Sequence, residues 1–113
     1  MARITFKNKD SIAILKIKGE LINPREEFHE PIKHYLEEYK NNKTIPKIIV
    51  DLEKVPNMNA SGLGALISLH TGIKQLEGSM ILVNLSEKVK SLLTITKLIT
   101  VFTIASMEEA LKK

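Results

Sequence analysis

The 113-residue chain has no cysteine and no tryptophan, and its only aromatic residues are three phenylalanines and two tyrosines. Without cysteine it can form neither disulfides nor a reactive thiolate, which excludes cysteine-based catalysis and thiol redox chemistry. No run of about eighteen apolar residues occurs, and the first residues become charged at Arg3, before a signal-type apolar stretch could form. We therefore expect a cytoplasmic protein with no direct membrane insertion.

A concentration of charge of one sign is also missing. The formal net charge is +4, but residues 1–56 carry 11 basic and 9 acidic groups, and residues 57–113 carry 6 and 4. Each half is therefore +2, and few aromatic residues lie among the basic ones. The count argues against nucleic-acid binding and favours an ordinary solvated surface.

The length and the 43% apolar content suit a single domain, residues 1–113. Alternating or continuous apolar segments predict five strands, at residues 4–7, 12–18, 47–52, 80–84 and 101–104. The first two strands are close enough in sequence to pair as an antiparallel edge hairpin. The others are separated by helical patterns, which is typical of parallel strands joined by helical crossovers. The pattern predicts an α/β fold with a mixed sheet of about five strands, largely parallel beyond the hairpin.

About four helices fill the intervals between these strands. Asn23 and Pro24 can cap and open the first, but Pro31 requires that its regular part start near Glu30 or that it be kinked. The second helix is predicted at residues 61–77 and stops at Gly78. The third and fourth are predicted at residues 86–94 and 106–111.

Residues 57–64, Asn-Met-Asn-Ala-Ser-Gly-Leu-Gly, lie between an apolar strand and the second helix. Ser61 sits where a helix N-cap belongs, and its hydroxyl can accept a hydrogen bond from the N–H of Leu63 or Gly64. Leu63 and Ile67 fall beside His70 and Lys74, outside the predicted apolar face, so we expect both to be exposed. An isolated exposed leucine is ordinary, but two apolar residues one turn apart favour a partner-binding surface.

No enzyme motif accompanies this turn. Ile67 occupies the place of the third glycine of a dinucleotide fingerprint, and Ser61 lacks the Gly-x-Ser-x-Gly frame of a hydrolase nucleophile. His29 and His34 are five residues apart, a poor match to a helical metal pair, and no cysteine is available as a further ligand. We expect no catalytic residues, no metal and no cofactor.

The order of several segments resembles the STAS family, the anti-sigma factor antagonists. These segments are Gly19-Glu20-Leu21, residues 49–52, the Ser-Gly-Leu-Gly turn at residues 61–64, residues 78–84 and residues 106–111. The resemblance implies a small sheet-and-helix module that binds proteins, usually an anti-sigma kinase that it sequesters until a serine of the turn is phosphorylated.

Four positions depart from the family pattern. The Asp-Ser pair of the family is Asn59-Ala60 here, so the usual phosphoacceptor is absent. Ile22 replaces the acid that usually follows Gly-Glu-Leu. Lys97 stands where the family often has glycine, and lysine would be strained there by about 1 kcal/mol if the residue is left-handed.

Together these observations predict a non-catalytic module that binds an anti-sigma factor or another regulatory protein without the usual serine switch. The predicted contact residues are Met58, Asn59, Ala60, Ser61, Gly62, Leu63 and Ile67. Ser61 is an alternative phosphorylation site. The alternative function is a structural STAS subunit of a stressosome-like scaffold or a lipid-transport ATP-binding cassette complex, and a homo-oligomer is compatible with either function.

Overall fold

The computed structural model describes residues 3–9, 12–22, 26–42 and 47–112. Within these ranges the chain forms five strands and four α-helices. The strands are β1 (Arg3–Lys9), β2 (Ile12–Lys18), β3 (Lys47–Lys54), β4 (Ser79–Val83) and β5 (Thr103–Ile104). The helices are α1 (Glu26–Asn42), α2 (Ala60–Gln75), α3 (Glu87–Ile95) and α4 (Met107–Lys112), and a 3-10 turn (Leu98–Thr100) follows α3.

The five strands form one mixed sheet in the spatial order β1-β2-β3-β4-β5. The β1–β2 pair is antiparallel, and every other neighbouring pair is parallel. This arrangement confirms the predicted α/β fold class with its antiparallel edge. The last strand is shorter than predicted and begins at Thr103, because the N–H groups of Val101 and Phe102 still donate to the Leu98 carbonyl after the 3-10 turn.

The sheet has an apolar layer on each face. On one face, strand residues such as Leu15, Val50 and Leu82 pack with Leu66 of α2 and Leu93 of α3. On the other, a smaller cluster joins Ile12, Ile49, Ile81 and Val83 to Ala110 of α4. Strand β3 is therefore buried on both faces, which explains its nearly continuous apolar sequence. Each large side chain buried in this way contributes about 1.5–3 kcal/mol.

The end of α2 differs in detail from the prediction. The helix ends at Gln75, and the left-handed residue is Glu77, with φ 61°, rather than Gly78. The Gly78 N–H donates to the carbonyl of Ile73 at 2.9 Å, and the Glu77 N–H donates to that of Lys74 at 2.9 Å. These two bonds form the Schellman arrangement, which satisfies carbonyls that the helix leaves free.

Lys97 also has a left-handed backbone, with φ 64° and ψ 14°. The residue separates α3 from the 3-10 turn, and its N–H donates to the Thr94 carbonyl at 3.1 Å. A residue with a Cβ is strained by roughly 1–2 kcal/mol in this region. Lys97 is therefore left-handed, and the strain expected for a lysine in that conformation applies.

Helix α1 runs without interruption from Glu26 to Asn42 with Pro31 inside it, so a start near Glu30 was wrong. The predicted capping role of Asn23 and Pro24 lies outside the described residues. Across the described part of the chain, no helix combines the length and the apolar character needed to span a bilayer.

Candidate functional site

The turn that leads into α2 is held against the segment that follows β2. The Leu21 N–H donates to the Asn57 carbonyl at 3.0 Å, and the Asn59 N–H donates to the Leu21 carbonyl at 3.4 Å. Leu21 and Met58 form a parallel bridge. Because these bonds link residues far apart in sequence, they fix where the chain can turn into the helix.

A second set of contacts braces the same turn from the β4–α3 connection. The Ser86 hydroxyl donates to the Pro56 carbonyl at 3.4 Å and also accepts from the Val89 N–H, so that it caps α3. Nearby, the amide of Asn84 donates to the carboxylate of Asp51 at 3.1 Å. Asp51 is only 4% exposed. The connections that follow β3 and β4 are therefore joined by hydrogen bonds, and these bonds help to hold the start of α2 in position.

Asn59, not Ser61, caps α2. Its backbone is extended, with φ −115° and ψ −173°, and its side-chain oxygen accepts from the Gly62 N–H at 3.0 Å. The predicted capping role of Ser61 was wrong because the helix begins one residue earlier, at Ala60. Ser61 consequently lies in the first turn, exposed to solvent.

The two glycines of the turn have different roles. A Cβ added to Gly62 would overlap the carbonyl oxygen of Leu21, so the helix can approach the β2 segment only without a side chain there. A Cβ added to Gly64 would meet nothing within 4 Å. Packing within the chain therefore explains Gly62 and leaves Gly64 without a steric reason.

The predicted exposure of Leu63 was wrong. Leu63 is 5% exposed and belongs to the main core, and Ile67 is half-buried against the same core. Leu63 lies only about 60° around the helix from Leu66, on the side where the ring of His70 meets that of Phe102, 5.4 Å away. The segment around Phe102 thus packs beside a side of α2 that the sequence pattern predicted to be exposed. Met58 is also buried, at 7% exposure.

Before its last turn, the exposed side of α2 is instead formed by small, uncharged residues. We call this stripe the α2 outer face; its members are Ala60, Ser61, Gly64, Ser68 and Thr71, all exposed. Gly64, Ser68 and Thr71 are not among the contact residues predicted from the sequence. Their helical spacing of three or four residues was the available signal, because exposed helix faces usually carry charges.

Beside the turn, a groove of about 350 Å³ opens between Asn57 and Met58 on one side and α3 on the other. Lys88, Leu92 and Ile95 line its α3 wall. Ile95 is 78% exposed. The groove therefore places apolar surface next to the polar start of α2.

Helix α2 carries little charge at its two ends. The first turn of α2 contains no acidic residue, and Lys74 is the basic residue of its last turn. Partial burial, together with the nearby charge of Lys74, lowers the pKa of His70 below its usual value. Among the described residues, no three His, Cys, Asp or Glu side chains are grouped to hold a metal ion.

A family model described as the STAS domain matches residues 3–111. The chain belongs to the STAS domain family. The matched region includes the whole sheet, the first three helices and α4 up to Leu111, together with the turn at the start of α2. The resemblance carried by the sequence segments is confirmed.

Solved structures of anti-sigma factor antagonists share this STAS fold. A candidate antagonist from Thermotoga maritima is 26% identical, with a TM-score of 0.77 over 96% of this chain and 92% of that chain. An antagonist domain from Planctomyces limnophilus is 18% identical, with a TM-score of 0.75 over 97% of each chain. The Bacillus cell fate determinant SpoIIAA, in its phosphorylated form, is also 18% identical, with a TM-score of 0.62 over 96% of each chain. At 18% identity the likeness concerns the fold alone.

Proposed function

We propose that residues 1–113 form one STAS domain that acts as a non-catalytic interaction module of the anti-sigma factor antagonist type. In this proposal the domain works in the cytoplasm and binds an anti-sigma factor or a similar regulatory protein through the α2 outer face and the turn before it. The observation that carries the proposal is the exposed, uncharged start of α2, held in place by the bonds to Leu21 and Pro56.

Gly64 gives the strongest support to this surface. Glycine inside a helix costs about 1 kcal/mol relative to alanine, and no atom of the described residues would oppose a Cβ at Gly64. The absence of a side chain there lets the backbone of a partner approach the helix closely. Ala60 and Ser61, one turn earlier, have small side chains and extend the same surface.

The groove beside Ile95 supplies the apolar part of such an interface. Interfaces usually join a small apolar centre to a polar surround. Met58, Gly62 and Leu63 are buried, so they support the binding surface without contacting the partner. The contacts are assigned to Asn59, Ala60, Ser61 and Gly64, and Ile67 contributes only its exposed part.

We expect Gly64→Gln to weaken binding of the cognate anti-sigma factor about tenfold or more, because the added side chain blocks close approach. Tenfold corresponds to about 1.4 kcal/mol. The measurement is isothermal titration calorimetry with purified anti-sigma factors from the same genome. Stability should not fall, since glutamine favours a helix more than glycine does.

The matched control is Thr94→Gln, which adds a similar side chain at an exposed position of α3. It should leave the affinity unchanged. Equal affinities for the wild type and the Gly64 variant would remove the α2 outer face from the interface. Failure of every anti-sigma factor to bind the wild type would overturn the partner class itself.

The proposal also includes the absence of the family's serine switch, since Ala60 has no hydroxyl to phosphorylate. Ser61 is the alternative acceptor. It is exposed, and no described residue forms a hydrogen bond with its hydroxyl. A phosphate there would add roughly −1.5 to −2 charges to an otherwise uncharged surface and would repel a closely docked partner.

If the switch is absent, incubation with the partner kinase and ATP should leave the chain unmodified, and intact-mass spectrometry should detect no added phosphate. Ser61→Ala is the control for the alternative. A phosphate that disappears in this variant would move the switch to Ser61, whereas a phosphate that persists would place it elsewhere in the chain.

The structural-subunit alternative stays a prediction. Neighbouring genes for a permease and an ATPase would favour it, and genes for a sigma factor and an anti-sigma kinase would favour the interaction module.

A further inference from the structure

The hairpin of β1 and β2 is basic along both of its strands. Its two strands contain five lysine or arginine residues and no aspartate or glutamate. Arg3 pairs with Lys18, and Lys7 pairs with Ile14. Because paired residues point to the same side of a sheet, strand register gathers charges that are separated in sequence.

The charged side of the hairpin is the side that carries α4. Ile12 and Ile14 belong to the apolar cluster under α4, whereas Leu15 and Ile17 face the main core. Alternation therefore puts Arg3, Lys7, Lys16 and Lys18 on the α4 side. We call these four residues the basic edge face.

The basic edge face is not paired with carboxylates in the described part of the chain. The salt bridges found within the described residues are His34–Glu38 and Lys112–Glu108, and neither involves the basic edge face. Asp51 is the register neighbour of Lys16, and its carboxylate accepts from the Glu53 N–H and the Asn84 amide rather than from a lysine. On the same side of β3, Nζ of Lys47 is buried with no hydrogen-bond partner in the described part of the chain.

The outer side of β1 is also unoccupied by any described strand, because β1 ends the sheet. An edge strand has backbone N–H and C=O groups directed outwards, which can pair with another extended chain. On the face opposite the charges, Ile4 and Phe6 are half-buried against the main core, and the Phe6 ring stacks on Tyr35 at 4.8 Å. A strand added at this edge would meet basic side chains on one face and apolar side chains on the other.

We propose that the β1 edge binds an extended segment of another protein in which acidic and apolar residues alternate. The acidic residues would lie beside Arg3 and Lys7, and the apolar residues would cover Ile4 and Phe6. The backbone of the segment would pair with β1, as in strand addition at other sheet edges. This surface is separate from the α2 outer face and does not depend on the proposed function.

Charge and shape favour this occupant over three others. A second copy paired through β1 would bring like charges together, which opposes association. A nucleic acid cannot use the backbone groups of the edge, and the basic edge face offers no aromatic side chain for base stacking. An anionic membrane would gain the charge attraction alone, since Ile14, the apolar residue between the charges, packs against the core.

The test is a titration of ¹⁵N-labelled protein with a short blocked peptide of alternating glutamate and valine, followed by NMR. Amide signals of β1 should shift most. A peptide of the same composition with its glutamates and valines in separate blocks should bind about tenfold more weakly, because it cannot match both faces of the edge. The double variant Arg3→Glu/Lys7→Glu should bind the alternating peptide more weakly than the wild type by a similar factor.

Lys33→Glu/Lys90→Glu is the matched control, since it makes the same change in net charge at exposed residues of α1 and α3. It should bind the alternating peptide as the wild type does. Equal binding of the two peptides would overturn strand addition, as would shifts centred away from β1. Tighter binding of a duplex oligonucleotide or of phosphatidylglycerol vesicles at the same salt concentration would also overturn the proposal.

Discussion

Replacing Leu63 with alanine is expected to lower the free energy of unfolding by about 2–4 kcal/mol. Leu63 is 5% exposed and packs in the main core, so its truncation removes buried apolar surface and leaves a cavity. Buried Leu→Ala substitutions cost about 2–5 kcal/mol. Equilibrium urea unfolding followed by circular dichroism measures the change.

Ile67→Ala is the comparison, because Ile67 lies one turn further along α2 and is only half-buried. The free energy of unfolding should fall by about half as much as in the Leu63 variant, because Ile67 buries less surface. If Leu63→Ala left the unfolding curve unchanged and only weakened partner binding, the exposed side chain predicted from the sequence would be the correct description.

Gly62→Ala is expected to destabilise the fold by about 2–4 kcal/mol, although alanine is the better helix former. The added Cβ would overlap the carbonyl oxygen of Leu21, which is backbone and cannot rotate away. The start of α2 must then move, which would weaken the bonds from Leu21 to Asn57 and from Asn59 to Leu21. Overpacking alone costs roughly 1–3 kcal/mol.

Gly64→Ala provides the matched control in the same helix. No atom lies within 4 Å of the added Cβ, so the substitution should stabilise the protein by up to about 1 kcal/mol. Urea unfolding of the two variants should therefore give changes of opposite sign. Two changes of the same sign and similar size would show that helix propensity, rather than close approach, determines the effect of Gly62.

Much of the fold could be predicted because its elements have strong local patterns. The alternation of Ile12 to Lys18 specifies a strand with one face in the core, and the apolar run from Ile48 to Leu52 specifies a strand covered on both faces. These patterns depend only on neighbours in sequence. Their order along the chain is then sufficient to predict a parallel sheet with an antiparallel edge.

The site was harder to predict because distant residues shape it. Ser61 is a sound N-cap by residue type, yet the contacts of Leu21 with Asn57 and Asn59 set the helix start one residue earlier. Leu63 has an ambiguous place on the helical wheel, and its burial depends on packing that sequence periodicity does not contain. Periodicity describes one helix at a time and cannot show which neighbour covers it.

The charge of the chain illustrates the same limit. Counting basic and acidic residues by halves gave an even distribution, since acidic residues of α1 offset the lysines of the hairpin in that count. Strand register instead brings basic residues together in space, with Arg3 beside Lys18 on the sheet. A count along the sequence cannot detect a charged surface that pairing creates.

The cap supplied by Asn59 has a consequence for the behaviour of the protein in acid. An aspartate at this position would be protonated near pH 4 and would then lose its favourable interaction with the helix dipole. The amide oxygen of Asn59 accepts the Gly62 N–H without any titration, and the first turn of α2 holds no acidic residue. The cap of α2 therefore keeps the same hydrogen bond and the same charge from acidic to neutral solution.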